Sequence, residues 1–159
     1  PADIMQVDLE GRPLSPGKPS AETLLHTHLY RRDPGIGAVL HTHAPAATLL
    51  SQLAAGNEIR LSGWELLKAF SGTDTHATTL VVPVFDNTQD IAALSREVDA
   101  WLDAHAGTPC FGYLIRGHGI YAWGRTMADC WRHLDAFDYL LNLELERRRV
   151  TGELGRQHA

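Results

Sequence analysis

The sequence predicts a layered α/β domain. Two observations carry this: strand-like apolar runs alternate with helix-like amphipathic ones along the chain, and proline, glycine or a capping residue punctuates nearly every change. A third, the lack of any repeat, low-complexity tract or interdomain linker, makes it one domain over residues 1–151, followed by a polar tail at 152–159 that is expected to fray. A chain of 159 residues is long enough to bury a core, and 44% hydrophobic with 21% charged residues is an ordinary globular balance.

Taken in order, residues 4–9 alternate loosely and Glu10-Gly11-Arg12 reads as a hairpin turn. Three prolines and a glycine make residues 13–19 a loop. Ser20 then suits the N-cap of a helix over 21–32, with Glu22 in its first turn, and Asp33-Pro34-Gly35 stops it. Residues 38–43 form a strand that ends on histidines, and Pro45 opens a helix over 46–54. A strand over 58–61, a short helical piece over 64–70 and a buried β-branched strand over 78–85 follow, the last in spite of Pro83. Asp86-Asn87-Thr88 should cap a helix over 89–104. Strands at 111–116 and 120–123 flank Gly117-His118-Gly119, and Thr126 starts a helix to 149 with Leu134, Phe137, Leu141 and Leu145 on one stripe.

The formal charge of −5 leaves no basic footprint for nucleic acid, although a few local cations could still hold an anionic substrate. No apolar run approaches the roughly 20 residues needed to cross a bilayer, and the opening residues lack a secretory layout, which together point to the cytoplasm. Cys110 and Cys130 are far apart and outside any CxxC spacing, so they read as a buried, reduced pair. The chain opens without Met in a strand-like stretch, which suggests that residues precede Pro1.

The sequence holds nine histidines, and spacing sorts them. Alternate residues of a strand point to the same side, so His41 and His43 can reach one ion. The near-copy His26-Thr27-His28 falls in a predicted helix, where the two rings stand about 200° apart around the axis and cannot share a metal. His118, between two glycines at a strand-to-strand corner, is the best third ligand. Three nitrogens with one position open describe a catalytic zinc site; a pair of satisfied surface histidines is the alternative. His76, His105, His133 and His158 read as surface or hydrogen-bonded residues, and His26 as a packing one.

In order along the chain, Lys18-Pro19-Ser20-Ala21-Glu22, His41-Thr42-His43-Ala44 and Arg116-Gly117-His118-Gly119 resemble the hallmarks of the class II aldolase/adducin superfamily. The resemblance covers nearly the whole chain. It is tightest to the sugar-phosphate dehydratases, through Glu65-Leu66-Leu67-Lys68-Ala69, the stretch from Val81 to Asn87 and the stretch from Leu114 to Gly124. It implies a three-layer α/β/α domain with a mixed, largely antiparallel central sheet, one Zn²⁺ per subunit on His41, His43 and His118, and a homotetramer with active sites near subunit boundaries. The family pattern also begins with a helix, strands and a phosphate-cradling loop that would precede Pro1.

The implied reaction removes water from 5-methylthioribulose 1-phosphate to give 2,3-diketo-5-methylthiopentyl 1-phosphate, as in methionine salvage. Proton abstraction beside a ketone needs a Lewis acid for the developing charge and a carboxylate to carry the proton. Glu65 matches the dehydratase acid/base, and Trp64 beside it could raise its pKa as an apolar wall; a solvated helix residue is the alternative. Glu22 matches a glutamate near the metal in related aldolases and reads as an auxiliary proton carrier, or else as a first-turn carboxylate complementing the helix dipole. Ser20 at a helix start, with Lys18 and Arg116, would receive the phosphate; the alternatives are a solvated loop lysine for Lys18 and a simple carboxylate pairing for Arg116. Two rival readings share the motifs: an aldolase or epimerase of the same superfamily, and a non-catalytic adducin-like scaffold, against which the three retained histidines count. A nucleotide-binding domain lacks its glycine-rich phosphate loop here.

Overall fold

The computed structural model describes residues 4–153. In chain order the elements are α1 (Thr23–Arg32), β1 (Ala38–Thr42), α2 (Pro45–Leu53), β2 (Glu58–Ser62), a short 3-10 helix (Glu65–Ala69), β3 (Thr79–Phe85), α3 (Ile91–Ala104), β4 (Gly112–Ile115), β5 (Gly119–Gly124) and α4 (Met127–Val150). They fall into two compact units, one of Ala38–Asn87 with the chain from Pro109 onward, the other of the chain up to Gly37 with Thr88–Thr108.

The first unit holds the whole sheet, in the order β1-β5-β4-β3-β2. Only β3 and β4 run parallel; the other three pairings are antiparallel, so the sheet is mixed and largely antiparallel. A parallel pair cannot be closed by a hairpin, and the chain between β3 and β4 accordingly carries α3. Pro83 sits inside β3 without harm. The Val84 N–H donates to the Asn57 carbonyl on the β2 side, so alternation turns the missing donor of Pro83 towards the β4 side, where pairing starts only at Val84.

Helices α2 and α4 pack against this sheet and each other. Leu50 of α2 and Phe137, Leu140 and Leu141 of α4 are fully buried, and each contributes roughly 1.5–3 kcal/mol by leaving water. The expected α4 stripe holds, with Leu134 and Leu145 packed at its margins. Thr126 is its N-cap, accepting from the Asp129 N–H at 3.0 Å.

The second unit pairs α1 with α3. His28 Nδ1 lies 2.9 Å from the Asp99 carboxylate, and Arg32 reaches Asp103 at 2.7 Å. The expected hairpin forms as a single bridge between Val7 and Pro13, with Gly11 at φ +80° in its turn.

Two helix starts differ from the sequence reading. Helix α1 begins at Thr23 with Glu22 at its N-cap; Ser20 makes the preceding turn, its hydroxyl accepting from the Glu22 N–H and its carbonyl from Thr23. Helix α3 begins at Ile91, capped by Asp90, whose carboxylate accepts from the Ala93 N–H at 2.8 Å. Asp86, Asn87 and Thr88 precede that cap rather than forming it. The cysteines also divide: Cys130 is buried, which pushes its thiol up, whereas Cys110 is half-buried and its Sγ donates to the Gly112 carbonyl. His158 and nearly all of the tail lie outside the described residues.

Candidate metal centre

Strand β1 delivers His41 within its last two residues and His43 one residue past its end, so both rings turn to one side. Antiparallel pairing with β5 sets His41 opposite Tyr121 and Thr42 opposite Ile120. That register brings the β4–β5 corner, and with it His118, alongside the β1 end. The approach is close enough that a Cβ on Gly119 would collide with the Thr42 carbonyl oxygen.

The three imidazoles converge. Ring centroids are 4.7 Å apart for His41 and His43, 5.0 Å for His41 and His118, and 4.6 Å for His43 and His118. The Nε2 atoms of His43 and His118 face each other at 2.9 Å. His41 Nδ1 lies 2.9 Å from the Ile120 carbonyl oxygen. A carbonyl only accepts, so Nδ1 carries the proton and Nε2 keeps the lone pair a metal needs. The His41 ring also stacks on Tyr121 at 4.1 Å and 16°, and Tyr121 stacks on Tyr113 at 5.0 Å, which fixes its plane from the buried side.

This donor set suits one divalent ion. The ligand atoms of the three rings lie within 4.8 Å of one another. Two nitrogens on a tetrahedral zinc, each at about 2.0–2.1 Å, stand about 3.3 Å apart, so small ring rotations suffice. Three neutral nitrogens would leave a coordination position for substrate oxygen.

Glu65 stands in different surroundings. It opens the 3-10 helix, 72% exposed, and is not a member of the histidine cluster. Its carboxylate pairs with the Lys68 ammonium and faces His76 Nδ1 at 3.3 Å. The Lys68 hydrogen bond holds the carboxyl below the usual range, which overturns the expectation that Trp64 raises its pKa. Glu65 borders an apolar groove of about 910 Å³ lined also by Trp64, Leu66, Trp131 and Tyr139. In the second unit, Glu22 is half-buried at the start of α1, and Lys18 and Ser20 are exposed.

Arg116 takes the second role weighed for it. Its Nε donates to Asp86 at 2.8 Å, one terminal nitrogen to the Ser51 and Ala54 carbonyls at 2.9 and 3.0 Å, and the other to the Gly56 carbonyl and Asn57 Oδ1 at 3.3 Å. A guanidinium has five N–H donors, and all are engaged. Sequence reasoning missed Tyr121 and the Ile120 carbonyl, since the register that sets them against His41 is a long-range pairing.

A mixed five-stranded α/β sheet with three imidazoles gathered at one strand end defines the class II aldolase type of protein. The chain belongs to that family: the model of the Class II Aldolase and Adducin N-terminal domain matches residues 1–145. It is 59% identical over 146 residues to the methylthioribulose-1-phosphate dehydratase of Xanthomonas campestris pv. campestris, covering 91% of this chain and 66% of that protein. It is 57% identical over 150 residues to the enzyme of that name from Marinobacter nauticus, covering 93% of this chain and 71% of that one. The chain thus spans about two thirds of the length of these relatives. Among solved structures, l-fuculose-1-phosphate aldolase from Thermus thermophilus superimposes with a TM-score of 0.70 at 24% identity, over 95% of this chain and 72% of that one. An aldolase II superfamily protein from Pseudomonas syringae gives 0.65 at 20% identity, over 92% and 55%. These likenesses establish the fold. No helix among the described residues is long and apolar enough to cross a membrane.

Proposed function

We propose that the protein is a zinc-dependent hydro-lyase that converts 5-methylthioribulose 1-phosphate to 2,3-diketo-5-methylthiopentyl 1-phosphate, in the cytoplasm and as a homotetramer. The observation that carries this reading is the 57–59% identity to dehydratases of that name across more than nine-tenths of the chain. The convergent imidazoles of His41, His43 and His118 supply the matching chemistry.

A divalent ion on these three nitrogens supplies Lewis-acid polarisation of the substrate oxygens, which lowers the cost of charge developing beside the ketone. The other work falls to the chain. Glu65, a carboxylate beside Lys68, takes the C3 proton and delivers it to the C4 hydroxyl as that C–O bond breaks and water leaves; the enol so formed gains a proton at C4 and loses its C3 hydroxyl proton to give the diketone. Glu22 is the auxiliary proton carrier. Ser20 and Lys18 bind the phosphate, whereas Arg116 holds the β4–β5 corner in this reading. Exposed Trp131 and Tyr139, beside Leu66, offer apolar surface for subunit contact.

The test is direct. Purified protein loaded with zinc should release the diketone from methylthioribulose 1-phosphate, detected by trapping with an aromatic diamine. Cleavage or epimerisation of another sugar phosphate, with no diketone formed, would replace this reading with an aldolase or epimerase.

A further inference from the structure

Helix α2 lies between two of the candidate ligands. It starts two residues after His43, and its side chains reach the corner that carries His118. That corner is flanked by glycines. Gly117 has φ +64°, and Gly119 lets the corner close against the Thr42 carbonyl.

The corner is tied to α2 residue by residue. Ser51 Oγ lies 3.2 Å from the Ile115 carbonyl oxygen and accepts from the Gly117 N–H at 3.0 Å. The Arg116 guanidinium donates to the Ser51 and Ala54 carbonyls at the end of α2. The next group along is the His118 carbonyl, which accepts from Thr48 Oγ1 at 2.9 Å. Thr48 is half-buried and lines the cavity beside His43 together with Gln52 and Gly117.

We infer that Thr48 is a positioning residue for His118, and that its hydroxyl sets the metal affinity of the three-histidine site. Ser51, Arg116 and the His118 N–H bond to the Ile115 carbonyl at 3.0 Å fix the turn up to His118; the Thr48 hydrogen bond then holds the peptide plane that follows the His118 side chain. Because α2 also begins beside His43, it acts as one strut between two ligands. The inference rests on the metal reading of the three histidines.

Its test is metal affinity, not turnover. Metal-free protein would be titrated with Zn²⁺ against a chromophoric chelator, and with Co²⁺ to read the ligand-field spectrum. Thr48→Val keeps the shape and deletes the donor; it should weaken zinc binding about 10- to 100-fold, the usual cost of losing a group that orients a ligand. It should also change the Co²⁺ spectrum, with the thermal midpoint of the metal-free protein little altered. Thr48→Ser keeps the hydroxyl and should recover most of the affinity. Unchanged affinity in Thr48→Val beside a parent that binds one equivalent overturns the inference alone, as does a Thr48→Ser variant as weak as the Val one. A parent that takes up neither ion overturns the metal reading and this inference with it.

Discussion

The chain carries the triplet His-Thr-His twice, and the two copies do opposite things. In α1 it is wound into a helix, where His28 is buried against Asp99 and His26 lines a separate cavity with Met5 and Tyr30. At the end of β1, the same three residues are extended, and both rings meet His118. Residue type is identical in the two places. The difference is backbone periodicity, which sets two rings about 200° apart in one case and on the same side in the other. A chelating motif is therefore a statement about local conformation before it is one about sequence.

Breaking the extended copy should give the largest effect. His41→Ala or His118→Ala removes one of three nitrogen donors, so bound metal, measured by elemental analysis after dialysis, should fall from about one equivalent to background, and turnover with it. His26→Ala, in the helical copy, should keep the full metal content. Retention of metal by His118→Ala would show that the corner histidine is not a ligand. A smaller loss is expected next to the site. Glu65→Gln should keep its metal while kcat falls about 10²- to 10⁴-fold, the usual worth of a positioned proton carrier. Near-parental turnover in that variant would pass the role to Glu22.

The sequence made the extended triplet legible because strand alternation is a local rule. The α4 stripe and its Thr126 cap were legible for the same reason. The surroundings of Glu65 were read in the wrong direction, and the geometry explains why. In a 3-10 helix, residues three apart eclipse one another, so Lys68 stands over Glu65 and pairs with it, while Trp64, the sequence neighbour, packs against the core. A wall inferred from adjacency became an ion pair set by the turn. Arg116 was legible as a charge, but its partners at the end of α2 are set by tertiary contact, and nothing in its own segment names them. Ser20 looked like a cap because it precedes a helical pattern; the helix starts two residues later, since the Ser20 carbonyl and hydroxyl close a turn of their own.

The smallest expected effect separates the two triplets by acid. Burial pulls the His28 pKa below its ordinary 6.5, outweighing the help of Asp99, and the cations Arg31 and Arg32 pull the same way. The unfolded chain therefore takes up a proton at a pH where folded His28 does not. Stability from this group is present above the ordinary imidazole pKa and is lost as pH falls through it towards the depressed folded value. His28→Gln should cost about 1–3 kcal/mol at neutral pH, because it puts a poorer partner for half-buried Asp99 at a fully buried position. The same variant should show a flatter decline of the urea midpoint, measured on metal-free protein, as pH is lowered. His133, also depressed by burial, keeps part of the slope in both proteins. Acid acts on the extended triplet by another route, through competition between protons and metal for the ring nitrogens. Zinc release on acidification should thus follow the same curve in parent and His28→Gln. A shift in that curve would mean that the helical triplet does reach the metal, while an unaltered urea slope would remove His28 as the source of acid sensitivity.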